Sequence, residues 1–156
     1  MRHSLITERP LLERAAEYRP AVPSTLEAVH IELDKFWTHV NSALVSPIAN
    51  RWKLEFSTAF LEICANIIKH AFAESAPSGT MVVHLSLYKN RIEAEFTDDG
   101  ALFDDSSSSV DPIPNLDADL PESGRGLQVA RALLHTLRYW RSQESRNHWL
   151  LMKKLP

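Results

Sequence analysis

The chain has 156 residues, of which 44% are hydrophobic and 24% charged, as expected for one ordinary globular domain. Its net charge of -3 argues against non-specific nucleic-acid binding, which depends on an excess of lysine and arginine. No apolar run approaches the ~20 residues of a membrane-spanning helix, and the N-terminus lacks the apolar stretch of a secretory signal. Cys64 is the single cysteine, which excludes an internal disulfide and suits a reducing compartment. We therefore expect one cytoplasmic domain over residues 1–156, without direct contact to nucleic acid or membrane.

The first half of the chain is predicted to contain one short strand and two helices. The strand falls within residues 8–18, where the pattern is only weakly periodic. Ser24 and Glu27 have the spacing of a capping box, and apolar residues at helical spacing extend the first helix to about Ala43. The second helix covers about residues 52–74, where two apolar stripes follow the helical period.

The second half is predicted to contain four strands, one long polar loop and one helix. Apolar and polar residues alternate over residues 80–97, which predicts a β-hairpin. Residues 104–123 are rich in serine, acid and proline, and so long a loop in a compact domain is usually a functional lid or disordered. Helical spacing resumes at Leu127, and two strands at about 137–142 and 147–154 follow it. Because helices and strands are segregated, we predict the α+β class, as a two-layer sandwich of a mixed or mainly antiparallel sheet packed against helices.

A narrow polar line runs along the second helix, between its two apolar stripes. It consists of four residues spaced four apart, namely Thr58, Glu62, Asn66 and His70. A solvated helix face would be broader, so the thin line indicates a helix packed on both flanks with a cleft between them. A carboxylate and an amide carbonyl there would suit Mg²⁺ or a water beside a phosphate. The alternative is a helix edge that is exposed by chance, and His70 is better explained as a packed or capping histidine than as a phospho-acceptor.

Two further stretches carry chemistry that is weak when each is taken alone. The run that begins Asp98-Asp99-Gly100 at a strand end is usually a turn, but Asp98 could instead accept a hydrogen bond from a ligand amine. Gly100 would then let the backbone approach that ligand closely. Gly124 and Gly126 precede a helix, where exposed N–H groups and the positive end of the helix dipole suit a phosphate. The chain contains neither a P-loop nor a Rossmann fingerprint.

The order of these stretches resembles the GHKL ATPase superfamily, and within it the anti-sigma-factor serine/threonine kinase branch. Residues 62–72 resemble the N box, residues 98–104 the G1 box and residues 124–127 the G2 box. The segment 147–154 resembles the last strand of that branch, so the match covers residues 22–156. The resemblance implies a Bergerat-type ATP-binding fold in which the polar loop is the ATP lid and residues 1–22 are an N-terminal segment.

The resemblance also implies ATP and Mg²⁺ as ligands and a role for each matched residue. Glu62 would be the general base that activates a serine or threonine hydroxyl of a protein substrate. Asn66 would coordinate the Mg²⁺ that bridges the ATP phosphates, and Asp98 would accept a hydrogen bond from the adenine amino group. The other nucleotide-binding residues would be Gly100, Phe103, Gly124, Arg125 (added by its position alone), Gly126 and Leu127.

For function, the resemblance implies an ATP-dependent kinase that phosphorylates a STAS-type anti-anti-sigma protein and sequesters a sigma factor or a similar partner. Members of this branch are often homodimers. Gln128 stands where a third glycine is common, which leaves a second hypothesis open. In that hypothesis the protein is a non-catalytic module that binds ATP as a regulatory ligand and sequesters its partner. A third hypothesis is a detached ATPase domain of a histidine kinase, which would need a separate acceptor protein.

Overall fold

The computed structural model of the protein describes residues 8–19, 24–71, 79–103 and 122–156. The helices are α1 (Thr25–Ala43), α2 (Asn50–Ala71) and α3 (Glu122–Leu133). The strands are β1 (Leu12–Tyr18), β2 (Met81–Leu87), β3 (Arg91–Asp98), β4 (Thr136–Arg141) and β5 (Asn147–Lys154). Both helices and all five strands that were predicted with bounds lie within a few residues of those bounds.

The five strands form one sheet in the order β1-β2-β3-β5-β4, and every neighbouring pair is antiparallel. The predicted α+β class is confirmed, and the described sheet is wholly antiparallel rather than mixed. The pairing of β3 with β5 places Asp98 opposite Asn147, although 49 residues separate them in the chain. This register brings the end of the hairpin against the beginning of the last strand.

One face of the sheet packs against the helices, and the alternation of the strands decides which side chains face them. In β3 the buried residues are Ile92, Ala94, Phe96 and Asp98, while their neighbours are partly exposed. Phe60 of α2 meets Phe96 with ring centroids 4.9 Å apart, so α2 lies directly on this strand. Asp98 is therefore on the helix-facing side of the sheet because it continues the buried alternation of β3.

Two local predictions at helix starts are wrong. Ser24 makes no side-chain capping hydrogen bond, so the capping box is not formed. The Thr25 hydroxyl instead donates to the Arg19 carbonyl at 2.9 Å. The third helix was expected to start after Gly124 and Gly126, but α3 already begins at Glu122. Glycine costs a helix only about 1 kcal/mol relative to alanine, so the apolar pattern that follows can extend the helix across both positions.

The last strand ends in two lysines, Lys153 and Lys154, which the sequence alone predicts to be solvated. Lys154 is exposed, but Lys153 is buried and donates to the Leu133 carbonyl at 2.7 Å. Of the predicted lid, residues 104–121 lie outside the described part of the chain, as do residues 72–74 of the predicted second helix. Among the described helices, none is both long enough and apolar enough to span a membrane.

Candidate nucleotide-binding site

The polar line of α2 lies between a buried flank and a partly buried one. Ile63 and Ile67 on one side are buried. Leu61 on the other side is partly buried and packs against the core, and Glu62 is half-buried. Asn66 is 8% exposed, and its Nδ2 has no hydrogen-bond partner among the residues that the structure describes. A buried amide N–H without a partner costs about 1–3 kcal/mol, so this position favours a ligand that supplies the missing contact.

α3 approaches this line at Gly126, a residue without a side chain. A Cβ atom built on Gly126 would overlap the Glu62 carboxylate, whose Oε2 is the nearest atom. The other end of α3 lies near the start of α2, because Lys153 binds the Leu133 carbonyl and also lies 3.7 Å from Glu55. The two helices are therefore antiparallel, and the N-terminal, positive end of α3 points toward the C-terminal half of α2.

The end of β3 provides a buried carboxylate with one free oxygen. Asp98 is 1% exposed, and its Oδ1 accepts hydrogen bonds from Asn147 Nδ2 at 2.8 Å and from the Gly100 N–H at 2.9 Å. Its Oδ2 has no partner among the described residues. Burial raises the pKa of Asp98, and the two hydrogen bonds partly oppose that rise. A carboxylate held in this way presents one acceptor to a ligand.

The segment that follows Asp98 connects this carboxylate to α2. The Ala101 carbonyl accepts a hydrogen bond from Asn147 Nδ2 at 2.8 Å. The Phe103 ring packs edge-on against Trp149 and His70, with centroids 5.0 and 6.0 Å away. Since His70 lies one helical turn after Asn66, the strand end and the polar line adjoin each other on the C-terminal half of α2.

Comparison with known proteins identifies the fold family. A family model described as the histidine kinase-like ATPase domain matches residues 11–154. The chain belongs to this family. It is similar to the serine-protein kinase RsbW of Bacillus cereus (strain AH820), with 34% identity over 84 residues, or 51% of each chain. The serine/threonine-protein kinase BtrW of Bordetella bronchiseptica (strain ATCC BAA-588 / NCTC 13252 / RB50) is 31% identical over 113 residues, which cover 67% of this chain and 75% of that protein.

These matches confirm the predicted superfamily and support the resemblance to its serine/threonine kinases. The chain spans about half the length of the curated relatives named RsbW that it matches. The family match implies ATP use, and the polar line of α2 with the adjoining end of β3 is the candidate place for the nucleotide.

Six of the nine predicted residues fall into two groups, and three lie outside them. Gly126 of α3 meets Glu62 of α2, and Asn66 lies one helical turn further along α2. Asp98, Gly100 and Phe103 lie at the end of β3 and just after it. The Gly100 N–H donates a hydrogen bond to the Asp98 carboxylate, and the Phe103 ring packs against Trp149. Of the other three, Arg125 is exposed on α3, and the Leu127 side chain lies in the hydrophobic core at 2% exposure. Gly124 lies in the first turns of α3.

The predicted Mg²⁺ needs few ligands from the protein, and the residues present can supply one. Mg²⁺ usually keeps several waters and takes substrate phosphate oxygens as ligands, so it needs few protein groups. The Asn66 carboxamide offers one hard oxygen in a site that leaves its nitrogen unsatisfied. Asn66 would hold the ion, and the ion would neutralise charge on the phosphates.

The sequence predicts no role for the residue that organises the site, Asn147. Asn147 is 1% exposed, and its carboxamide makes hydrogen bonds to Asp98 on one side and to residues of β4 on the other. Its Oδ1 accepts hydrogen bonds from the Tyr139 hydroxyl at 2.6 Å and from Arg141 Nη1 at 2.9 Å. The signal in the sequence that could have indicated these contacts is the alternation of β4. It places Tyr139 and Arg141 on the same face of the strand as the buried Leu137.

Proposed function

We propose that the protein is an ATP-dependent serine/threonine kinase that phosphorylates a STAS-type antagonist and sequesters a sigma factor or a similar partner. The observation that carries the proposal is the buried Asp98 Oδ2, which has no partner among the described residues. It lies on the face of the sheet that packs against α2, the helix of Glu62 and Asn66. An ionised oxygen that only accepts hydrogen bonds suits the exocyclic amino group of adenine. The relatives named as serine/threonine kinases support the same chemistry.

In this proposal each of the three side chains has one task. Asp98 binds the adenine amino group, and Asn66 holds Mg²⁺ beside the phosphates. Glu62 is half-buried, so its carboxylate can meet both the nucleotide and a protein surface. It takes the proton of a serine or threonine hydroxyl as that oxygen bonds to the γ-phosphorus. The bond from the γ-phosphorus to the bridging oxygen breaks, and ADP leaves with that electron pair.

A second candidate function is a regulatory ATP-binding module without transfer activity. It is favoured by Gln128, which stands where a third glycine is common in the family. Its side chain is buried on α3 at 7% exposure, close in sequence to the glycine that meets Glu62. Such a module would keep the nucleotide contacts and the partner complex but leave the partner unmodified.

Two measurements test these functions in turn. Calorimetric titration with ATP should show Mg²⁺-dependent binding by the wild type, and Asn66→Ala and Asp98→Asn should each weaken it. Wild-type affinity in both variants would place the nucleotide elsewhere. With γ-labelled ATP and a STAS-type protein, the wild type should transfer phosphate to serine or threonine, and Glu62→Gln should not. Glu55→Gln, two turns earlier on α2, is the matched control and should transfer normally.

The outcomes distinguish the two candidates. Transfer that depends on Glu62 supports the kinase. Tight ATP binding and a stable complex with the STAS-type protein, without transfer by the wild type, support the regulatory module instead.

A further inference from the structure

The Asn147 carboxamide uses its full hydrogen-bonding capacity. Nδ2 donates to Asp98 Oδ1 and to the Ala101 carbonyl, both at 2.8 Å. Oδ1 accepts from the Tyr139 hydroxyl and from Arg141 Nη1. An asparagine side chain has two donor hydrogens and two acceptor positions, and all four are occupied here. Its orientation is therefore determined from both sides.

Turning this carboxamide over would replace attraction by repulsion. Oδ1 would then face the Asp98 carboxylate and the Ala101 carbonyl, and Nδ2 would face the donors Tyr139 and Arg141. The Tyr139 hydroxyl is itself fixed, because it also accepts the Phe103 N–H at 3.0 Å. Burial raises the pKa of Tyr139, so the hydroxyl keeps the proton that it donates. β4 thus decides which end of Asn147 points toward Asp98.

The orientation of Asn147 in turn decides what Asp98 can do. As oriented, Nδ2 and the Gly100 N–H both favour the ionised carboxylate, whose Oδ2 can only accept. The charged groups around Asp98 are Asp99, which raises its pKa, and Arg141, which lowers it. Without the contacts from β4, Asn147 can present its oxygen, which favours a protonated carboxyl that can donate.

We infer that Tyr139 and Arg141 are positioning residues that act through Asn147 to keep Asp98 an acceptor, and that they thereby select a base with an amino group over one with a carbonyl. The inference rests on the proposed nucleotide site and names what sets its base specificity. Adenine presents an exocyclic amino group, a donor. Hypoxanthine presents a carbonyl oxygen at the same position, which an ionised Oδ2 repels and a protonated carboxyl would bind.

The test compares ATP with inosine triphosphate, which differ at this position of the base. Dissociation constants of both nucleotides are measured from neutral to mildly acidic pH for the wild type, Tyr139→Phe and Arg141→Gln. The wild type should prefer ATP. Each variant should reduce the ratio of the two affinities by about three- to tenfold, the effect of one net hydrogen bond. As the pH is lowered, ATP binding by each variant should begin to weaken at a higher pH than ATP binding by the wild type does. The reason is that Asp98 of the variant takes up a proton more readily.

Matched controls separate this role from a general loss of structure. Tyr88→Phe changes a tyrosine at the opposite end of the β2–β3 hairpin, and Arg138→Gln changes an exposed arginine of β4. Both should keep the wild-type ratio and pH profile. A merely structural role of Tyr139 would weaken ATP and inosine triphosphate binding equally, with an unchanged pH profile, and that result would overturn the inference.

The outcomes also separate the inference from the proposed site. If the wild type binds no ATP, or if Asp98→Asn binds it as well as the wild type, the proposed site is wrong and the inference fails with it. If the wild type prefers ATP and Asp98→Asn loses that preference, but Tyr139→Phe and Arg141→Gln retain it, the site stands and the inference alone is wrong.

Discussion

Replacing Asp98 by asparagine should stabilise the protein without nucleotide while removing its ability to bind ATP. The carboxylate is 1% exposed, and one of its two oxygens lacks a partner among the described residues. Asparagine has the same shape, and its oxygen can accept the same bonds from Asn147 and Gly100. It removes the buried charge but leaves an unsatisfied N–H. Since an unsatisfied buried group costs about 1–3 kcal/mol and a charged one more, we expect a net gain of about 1 kcal/mol.

The direction in which the fold shifts the Asp98 pKa determines how the effect of Asp98→Asn on stability depends on pH. Burial raises this pKa above its value in the unfolded chain, so the folded protein binds the proton more tightly. Its contribution to stability is therefore greatest below the unfolded pKa and is lost as the pH rises through the folded pKa. The advantage of Asp98→Asn should thus be largest at neutral pH and should shrink as the solution is acidified.

Urea denaturation followed by circular dichroism measures both effects. Without nucleotide, Asp98→Asn should show the higher free energy of unfolding at neutral pH. At ATP concentrations about 100 times the wild-type dissociation constant, the wild type should gain about 2.7 kcal/mol and become the more stable protein. Asp99→Asn is the control, because Asp99 is exposed and its oxygen can still accept the Thr80 N–H. A variant that is less stable at neutral pH, or a difference that does not change with pH, would refute the reasoning.

Two further substitutions test the packing of α3. Gly126→Ala should stabilise α3 by up to about 1 kcal/mol, because alanine favours a helix and the Glu62 side chain can rotate away from the new methyl group. Gly126→Ala should nevertheless reduce phosphate transfer because Glu62 is displaced. Transfer is measured with γ-labelled ATP and a STAS-type protein, and a wild-type rate would contradict the proposed position of Glu62 as the base. Lys153→Met should cost about 1–3 kcal/mol of unfolding free energy in urea, because the Leu133 carbonyl loses its donor. The exposed neighbour gives the control, since Lys154→Met should change this free energy by less than about 0.5 kcal/mol, and equal effects at both positions would be inconsistent with the buried contact.

The parts of the fold that could be predicted are those governed by local periodicity. The helical spacing of α2 locates Glu62 and Asn66 on one line, and the alternation of β3 is regular up to Asp98. These signals depend only on neighbours within a few residues, so they survive without knowledge of the tertiary structure. For the same reason the α+β class and the order of elements agree with the structure.

The parts that could not be predicted depend on which strands pair. Asn147 contacts Asp98 because β5 pairs with β3, and no local pattern specifies that register. Lys153 reads as a polar residue at a strand end, but the packing of α3 buries it under the Leu133 carbonyl. Gly126 was predicted to precede a helix, whereas it lies within α3 and faces the Glu62 side chain. In each case a partner distant in sequence decides the role.

The site combines Asn147, whose side chain is fully satisfied, with Asp98, one of whose oxygens lacks a partner among the described residues. Every hydrogen-bonding position of Asn147 is used, so its neighbour Asp98 cannot relieve its free oxygen by recruiting that amide. Burial without a partner raises the free energy of the folded chain, and a ligand amine at Oδ2 would lower it again. The stability lost at Asp98 without ligand and the affinity gained with ligand thus have one physical origin. Tyr139→Phe and Arg141→Gln should change both quantities together, whereas a substitution elsewhere in the core should change stability alone.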